Sequence, residues 1–317
     1  MNVVVLGTGN MGSIFAARLI KAGHRVSVIA RNQRLRELQE NGLRLRHQYT
    51  GKIEHYAPEV HPGLTPEIEA DLILVTVQRP HIDALMPALT AHPCPMICFM
   101  FNCSKIEPAW QEALGKRLVW GFPSALAGTR EGIVNYLVLP GWLRFLQITT
   151  VGEAKGGDSV VAQSIVKVLN QAGIASTYHP DMESWLMTHT ALMLPPMLIG
   201  RRKYESRANQ ALSWREARQI IQAQKECFRV VEASGGRVTP INMRLLKIVP
   251  ALLGTLGIWM ISKTPAYGRA VTDHVDHGQV EMLTMYDGIK SRADSSGVAV
   301  PVLDALMQEI LRLWGPS

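Results

Sequence analysis

The chain opens MNVVVLGTGNMGSIFAARLIKAGH. Val3 to Leu6 form an unbroken apolar run, three of them β-branched, which reads as a strand covered on both faces of a parallel sheet. It passes directly into Gly7, Gly9 and Gly12, and then into apolar residues at helical spacing that stop at Gly23. Glycines spaced G-x-G-x-x-G are a weak signal alone. Between a buried strand and a helix they are the fingerprint of a dinucleotide-binding unit. Gly7 then allows the tight turn, Gly9 lets a pyrophosphate approach the backbone, and Gly12 lets the helix pack on the strand. The loop Gly7, Thr8, Gly9, Asn10, Met11, Gly12 is the expected phosphate cradle, with the N–H groups of the helix start pointing at the anion. The alternative is a turn whose glycines serve only the fold.

Strand and helix keep alternating through the first half. RVSVIAR is a second strand, NQRLRELQENG a polar helix ending at Gly42, and the stretch from Leu43 to Val60 an excursion of short strands around Gly51. DLILVTVQ (Asp71 to Gln78) and PMICFMFN are further buried strands, separated by an amphipathic helix that Pro87 breaks. From Arg117 to Glu153, strands alternate with turn residues (Gly128, Gly132, Pro140-Gly141), which predicts antiparallel hairpin strands closing the sheet. From about Ser159 the period becomes helical, and beyond Asp181 nearly everything reads as helix. The fold class is therefore α/β: a doubly wound Rossmann domain over residues 1–178 and an all-α domain over 179–317, with the boundary near 175–182.

The second strand decides which dinucleotide. NAD sites place Asp or Glu about 20 residues past the glycines, on the ribose 2′-hydroxyl. Here the strand ends IARNQR, and Arg31 stands in the carboxylate's place, followed by Asn32 and Arg34. A guanidinium there suits a 2′-phosphate, so NADPH is the expected cofactor. Read without a ligand, Arg31 is a surface charge.

Charge and cysteines exclude other classes. The formal net charge is +7, and basic residues are scattered with no run interleaved with aromatics, so nucleic acid is not an expected partner. Cys94, Cys98, Cys103 and Cys227 lack zinc spacing and read as reduced, buried thiols of a cytoplasmic protein. The first apolar run is too short for a signal peptide and is needed by the fold. Ile248 to Ser262 is long and uncharged, but shorter than a span and interrupted by Pro250, Gly254 and Gly257; a buried helix or helix pair is expected there, and no membrane contact. Apolar faces on the helical half suit a homodimer.

The whole chain resembles the ketopantoate reductase (2-dehydropantoate 2-reductase) family. The resemblance rests on GTGNMG, Arg31, LVTVQ, Phe101–Asn102, the helix beginning near Trp185, Val280–Glu281, and GVAVP at 297–301. It implies an N-terminal Rossmann domain, a helical domain like that of 6-phosphogluconate dehydrogenase, NADPH, and reduction of a 2-oxo acid in the cleft between domains. It also implies that Gln78 and Asn102 lie at the cofactor, and that Asn102 and Glu281 act near the nicotinamide and its ribose.

The chain departs from the family in the substrate half. Gln78 stands where members carry Lys, and Cys103 replaces the glycine after Asn102. The family's catalytic lysine, two residues past the tryptophan-like position, falls on Met187, and two asparagines fall on Ala191 and Pro195. Hydride transfer builds negative charge on the carbonyl oxygen, which a Lys stabilises and protonates and a Met does not. His189 lies about 200° round an ideal helix from Met187, on another face. Arg201, Arg202 and Lys203 form a basic cluster that either binds a substrate carboxylate or is a solvated loop. His274 and His277 precede Glu281, with His277 at i, i+4 and the preferred substitute acid. Asp273, His274, His277 and Glu281 lack a firm third ligand, so no metal is expected.

These residues leave four readings open: an NADPH-dependent reductase of a 2-oxo acid or related carbonyl, of which a substrate more apolar than ketopantoate is one version; an opine- or hydroxy-acid-type dehydrogenase using a histidine acid; an NADPH-binding sensor without turnover; and a membrane-associated reductase, resting on Ile248–Ser262.

Overall fold

The computed structural model describes residues 1–48, 50–137, 147–206, 211–264, 267 and 279–315, excluding the side chains of Leu126 and Asn242. The chain divides into two compact units: Met1–Phe101 with Glu107–Met182, and Asn102–Ile106 with Glu183–Ser317.

The first unit is a Rossmann-type α/β domain. Its main sheet has eight strands in the order β12-β11-β8-β7-β6-β1-β2-β5: β1 (Asn2–Leu6), β2 (Arg25–Ile29), β5 (Glu59–His61), β6 (Leu72–Val75), β7 (Ile97–Met100), β8 (Leu118–Phe122), β11 (Thr149–Gly152) and β12 (Ser176–Tyr178). All neighbours are parallel except β11 against β8. Apolar β1, β6 and β7 sit in mid-sheet because helices cover both faces; Val4, Val5, Ile73 and Phe99 are wholly buried. Strand order reverses at β1, which lies between β2 and β6. Such a switch point opens a crevice at the carboxyl ends of the strands, and the glycine loop leaves β1 there.

A second sheet, β4-β3-β10-β9, is built from β3 (Leu43–His47), β4 (Ile53–Tyr56), β9 (Leu126–Arg130) and β10 (Ile133–Leu137). The β9–β10 hairpin is present, but it does not close the main sheet as the turn pattern suggested. β10 pairs instead, in parallel, with β3 of the earlier excursion. Among the described strands of the main sheet, the one antiparallel pairing is β11 with β8, and Pro140-Gly141 lies outside the described residues.

Pro87 also differs from expectation. It begins helix α3 (Met86–Ala91) rather than breaking a longer one, after two short 3-10 turns. A first-turn proline loses no hydrogen bond, because that N–H has no intrahelical acceptor. The other helices of this unit are α1 (Asn10–Lys21), α2 (Asn32–Asn41), α4 (Pro108–Leu114) and α5 (Val160–Gln171, capped by the Ser159 hydroxyl, which accepts from Ala162 N–H).

The second unit is helical: α6 (Met182–Glu205, its first residue in the first unit), α7 (Trp214–Ala233), α8 (Ile241–Ile248), α9 (Ala251–Ile261), α10 (Gln279–Ser296) and α11 (Pro301–Trp314). Its apolar core is formed by α6, α7, α10 and α11, with Leu194, Phe228, Met285 and Leu306 among the buried residues. A capping box of Ser213 and Glu216 starts α7. The Glu226 carboxylate accepts hydrogen bonds from Val302 and Leu303 N–H, tying α7 to the start of α11.

The segment expected to be buried, Ile248 to Ser262, is a helix pair with its neighbour α8, but largely exposed. Ile248, Leu252, Leu253 and Met260 face solvent, while Thr255 and Ser262 are buried. The helix is apolar all round, and α7 covers one side of it only. No described helix is long and apolar enough to cross a membrane.

Candidate functional site

In the first unit, the three opening glycines prove unequal. Gly7 has φ +102°, and a Cβ there would lie 2.6 Å from Val77 Cγ1. A Cβ on Gly12 would lie 1.9 Å from Gly7 O and 2.5 Å from Thr76 Oγ1. Both glycines are required by the fold. Gly9 is not: its φ is −70°, and a Cβ on it would meet nothing within 4 Å. It is the N-cap of α1, and no side chain caps that helix. The first turn of α1 therefore offers its orphan N–H groups to an open space that a side chain would narrow.

The surrounding residues hold this loop still. The Thr76 hydroxyl donates to Gly7 O at 2.5 Å. Asn10 spends its carboxamide on β9: Nδ2 donates to Ala127 O, and Oδ1 accepts from the Thr129 hydroxyl. Met11 packs against the domain core. Thr8 is buried, and its Oγ1 has no hydrogen-bond partner among the described residues.

Arg31 is the exposed N-cap of α2, one residue beyond Ala30, and its side chain has no hydrogen-bond or ion-pair partner among the described residues. Sequence reasoning gave Arg34 no separate role. Its Nε donates to Thr8 O at 3.1 Å, one terminal nitrogen donates to Ser13 Oγ at 3.2 Å, and the other reaches Glu37. The guanidinium is thus a brace from the second helix to the glycine loop. Its position three residues past Arg31, on one helical turn, was the available signal. Gln78 is exposed in the loop after β6, where it caps the first 3-10 turn, and its carbonyl accepts from His81 N–H.

In the second unit, Asn102 and Glu281, 179 residues apart, are in direct contact: Asn102 Nδ2 donates to Glu281 Oε1. The Oδ1 of Asn102 is buried and has no partner among the described residues. The pairing is anchored beside it, where Gly288 leaves room for the Ser104 side chain; a Cβ on Gly288 would lie 1.7 Å from Ser104 Oγ. Beyond the N–H given to Glu281, the pair presents one amide oxygen and a carboxyl group, which can accept from N–H or O–H donors.

The helix that should carry the family's lysine is α6. Met187 and Ala191 lie in the apolar core of the helical unit. His189 stands half-buried on another face and stacks on Trp185, with ring centroids 5.3 Å apart and an interplanar angle of 6°. Arg201, Arg202 and Lys203 do not form a solvated loop. They lie on α6, where Arg201 pairs with Glu205, Arg202 with Glu216 and Glu309, and Lys203 with Glu216. These cations join α6 to α7 and α11 and are not poised for a substrate carboxylate. Asp273, His274 and His277 lie outside the described residues, as does Gly278. Among the described residues, no three His, Cys, Asp or Glu side chains are grouped to hold a metal. All four cysteines are buried and free.

Comparison with known proteins gives this geometry a family. Residues 3–154 match the model of ketopantoate reductase PanE/ApbA. The chain carries a ketopantoate reductase family domain. The likeness extends beyond that domain: the chain is 25% identical to the 2-dehydropantoate 2-reductase of Vibrio cholerae, with 99% of this chain and 98% of the relative covered. A crystal structure of 2-dehydropantoate 2-reductase from Methylococcus capsulatus superposes with a TM-score of 0.74 at 20% identity, covering 100% of this chain and 99% of that one. The ternary structure of D-mandelate dehydrogenase with NADH and anilino(oxo)acetate superposes with a TM-score of 0.77 at 14% identity, covering 99% and 98%. At these identities the structural likeness establishes the fold, and a ketopantoate reductase-type architecture spans the whole length.

Proposed function

We propose that the chain is an NADPH-dependent oxidoreductase that reduces a 2-oxo acid, or a related carbonyl compound more apolar than ketopantoate, to the hydroxy compound. The observation that carries the reading is Gly9: a glycine required by neither backbone nor packing, at the uncapped start of a helix, at the switch point of a parallel sheet. A diphosphate accounts for it. Arg31, exposed and unengaged one residue past the second strand, is assigned to the 2′-phosphate.

A bound nicotinamide nucleotide supplies the hydride. The residues of this chain divide the remaining work. The α1 N-terminus and Gly9 hold the diphosphate, and Gln78 and Asn102 border the nicotinamide side. Glu281 fixes the rotamer of Asn102, so that its buried oxygen accepts a hydrogen bond from the ligand. Since Met187 has no proton to donate, the acid is assigned to His277, four residues before Glu281 in sequence. The free thiols suit a reducing compartment, and the cytoplasm is the proposed location.

The test is turnover of NADPH against a panel of 2-oxo acids graded in side-chain size, with His277→Ala and Glu281→Ala alongside. Turnover that falls by about 10²-fold or more in His277→Ala supports the assignment of the acid. Equal affinity for NADH and NADPH, or no loss of NADPH preference in Arg31→Ala, overturns the assignment of the 2′-phosphate. A second reading, an NADPH-binding sensor, is favoured by the core position of Met187 at the lysine's place. Tight NADPH binding with no turnover across the panel selects it.

A further inference from the structure

The loop that leaves β6 has little support of its own. From Gln78 to Leu85 it is two 3-10 turns, whose hydrogen bonds are poorer than those of an α-helix. Its backbone bonds are local: Gln78 O accepts from His81 N–H, Arg79 O from Ile82 N–H, and Ile82 O from Leu85 N–H. Pro80 has no N–H to give. Gln78, Pro80 and His81 are exposed, while Arg79 between them is half-buried.

What Arg79 meets is α4, further along the same unit. Its Nη2 donates to the carboxylate of Glu107, the N-cap residue of α4, 28 residues later in the chain. The guanidinium lies over the Trp110 ring, 5.4 Å from the centroid. Asp83 adds a second tie by accepting from Trp110 Nε1 at 2.7 Å. Trp110 is itself well fixed: it is 3% exposed, stacks on Trp120 at 6.1 Å and meets Phe99 edge to face at 5.9 Å. Phe99 belongs to β7 and Trp120 to β8. The loop is thus pinned through Trp110 to the sheet. It starts from the carboxyl end of β6, and an open α/β sheet binds its ligand at the carboxyl ends of its strands.

The pinning acts locally. The Arg79 and Glu107 side chains are 25% and 28% exposed, and an ion pair so open to water adds little to global stability. Glu107 engages the edge of the guanidinium and Trp110 its face, so the group is occupied in holding. Arg79 is bonded directly to Gln78. Fixing its side chain fixes the backbone from which the Gln78 side chain leaves.

We propose that Arg79 is a positioning residue: through Glu107 and Trp110 it holds the 78–83 loop, and so orients Gln78 toward the nicotinamide half of the dinucleotide. The proposal rests on the nucleotide reading given above.

Calorimetric titrations with NADPH and with adenosine 2′,5′-bisphosphate, which lacks the nicotinamide, separate positioning from a merely structural role. In Arg79→Ala, affinity for NADPH is expected to fall by about 5- to 30-fold, the size of one coupled contact, with the bisphosphate bound as in the wild type. The rise in nicotinamide emission on binding should be smaller, because the ring is held less firmly. Glu107→Gln should repeat the pattern more weakly, and Arg79→Lys, which keeps the cation, should recover part of the loss. Gln78→Ala should lose as much as Arg79→Ala, and the double variant no more than Gln78→Ala alone, since Arg79 acts through Gln78. Unchanged NADPH affinity in Arg79→Ala, equal losses for NADPH and the bisphosphate, or additive losses in the double variant overturn the proposal. A wild type that binds neither compound removes the nucleotide reading itself and this proposal with it, a result the other outcomes do not share.

Discussion

Replacing Gly9 by Ala separates what the glycine loop does for the fold from what it does for a ligand. In the folded chain the new methyl meets no atom within 4 Å, and the φ of −70° suits alanine. Folding should then gain slightly, because alanine restricts the unfolded chain: about 0.4–1 kcal/mol. That corresponds to a rise of roughly 1–4 °C in the melting midpoint for a chain of this size. The binding side has the opposite sign. The methyl occupies the space through which a diphosphate reaches the N–H groups of α1, and an overpacked contact costs about 1–3 kcal/mol. Affinity for NADPH should fall by roughly 5- to 150-fold. Gly12→Ala is the control. Its Cβ would lie 1.9 Å from Gly7 O, a backbone atom that cannot turn aside, so this variant should melt several degrees lower. Thermal melts followed by circular dichroism, with NADPH fluorescence titrations on the same samples, give both numbers. If Gly9→Ala melts well below the wild type, the glycine is structural after all. If it folds and binds NADPH as tightly as the wild type, no phosphate approaches Gly9. Either result removes the support for the nucleotide site.

Arg34→Ala should weaken NADPH binding by about 5- to 30-fold, a loss of ~1–2 kcal/mol, because it removes the braces to Thr8 O and Ser13 Oγ. Arg34→Lys should restore little of this, since an ammonium does not span both acceptors with the fixed fork of a guanidinium; an unchanged dissociation constant in both variants refutes the bracing role. Glu216 yields a pH prediction. Burial opposes its ionisation, but hydrogen bonds from the Ser213 backbone and hydroxyl and from Lys203 outweigh that and hold its pKa down to about 2, below the ordinary 4.5. A depressed carboxylate stabilises the fold above its unfolded pKa and loses that contribution as pH falls toward the folded one. Glu216→Gln should therefore melt below the wild type at neutral pH, with the gap narrowing as pH drops from 4.5 toward 2; a gap independent of pH refutes it.

What the sequence discloses about this chain follows the reach of its interactions. Gly7 and Gly12 were legible because strand, turn and helix lie within a dozen residues, and local geometry alone demands glycine at both. The β9–β10 hairpin was legible for the same reason, but its destination was not. β10 pairs with β3, far upstream, and alternation in a sequence carries no record of which sheet a hairpin joins. Arg34 was passed over because its acceptors are a backbone carbonyl and a hydroxyl on a different helix, and neither leaves a compositional trace.

The helical half shows the same limit in its charges and its apolar runs. Arg201–Lys203 read as an open basic cluster because the sequence displays three adjacent cations and not the carboxylates of Glu216 and Glu309 that fold against them. Ile248–Ser262 read as buried because hydropathy reports that a residue prefers cover, and says nothing of whether its own chain supplies it. The contact of Asn102 with Glu281 joins residues 179 positions apart, and no spacing rule predicts it; only the resemblance to the family placed those two residues at one site. The substrate half is also where that resemblance is thinnest. The Asn102–Glu281 pair offers hydrogen-bond acceptors, and Met187, on which the resemblance places the family's lysine, lies in the core of the helical unit. On the proposed reductase reading, the group that protonates the product oxygen comes from outside the family pattern, and His277, four residues before Glu281, is the residue on which that reading stands or falls.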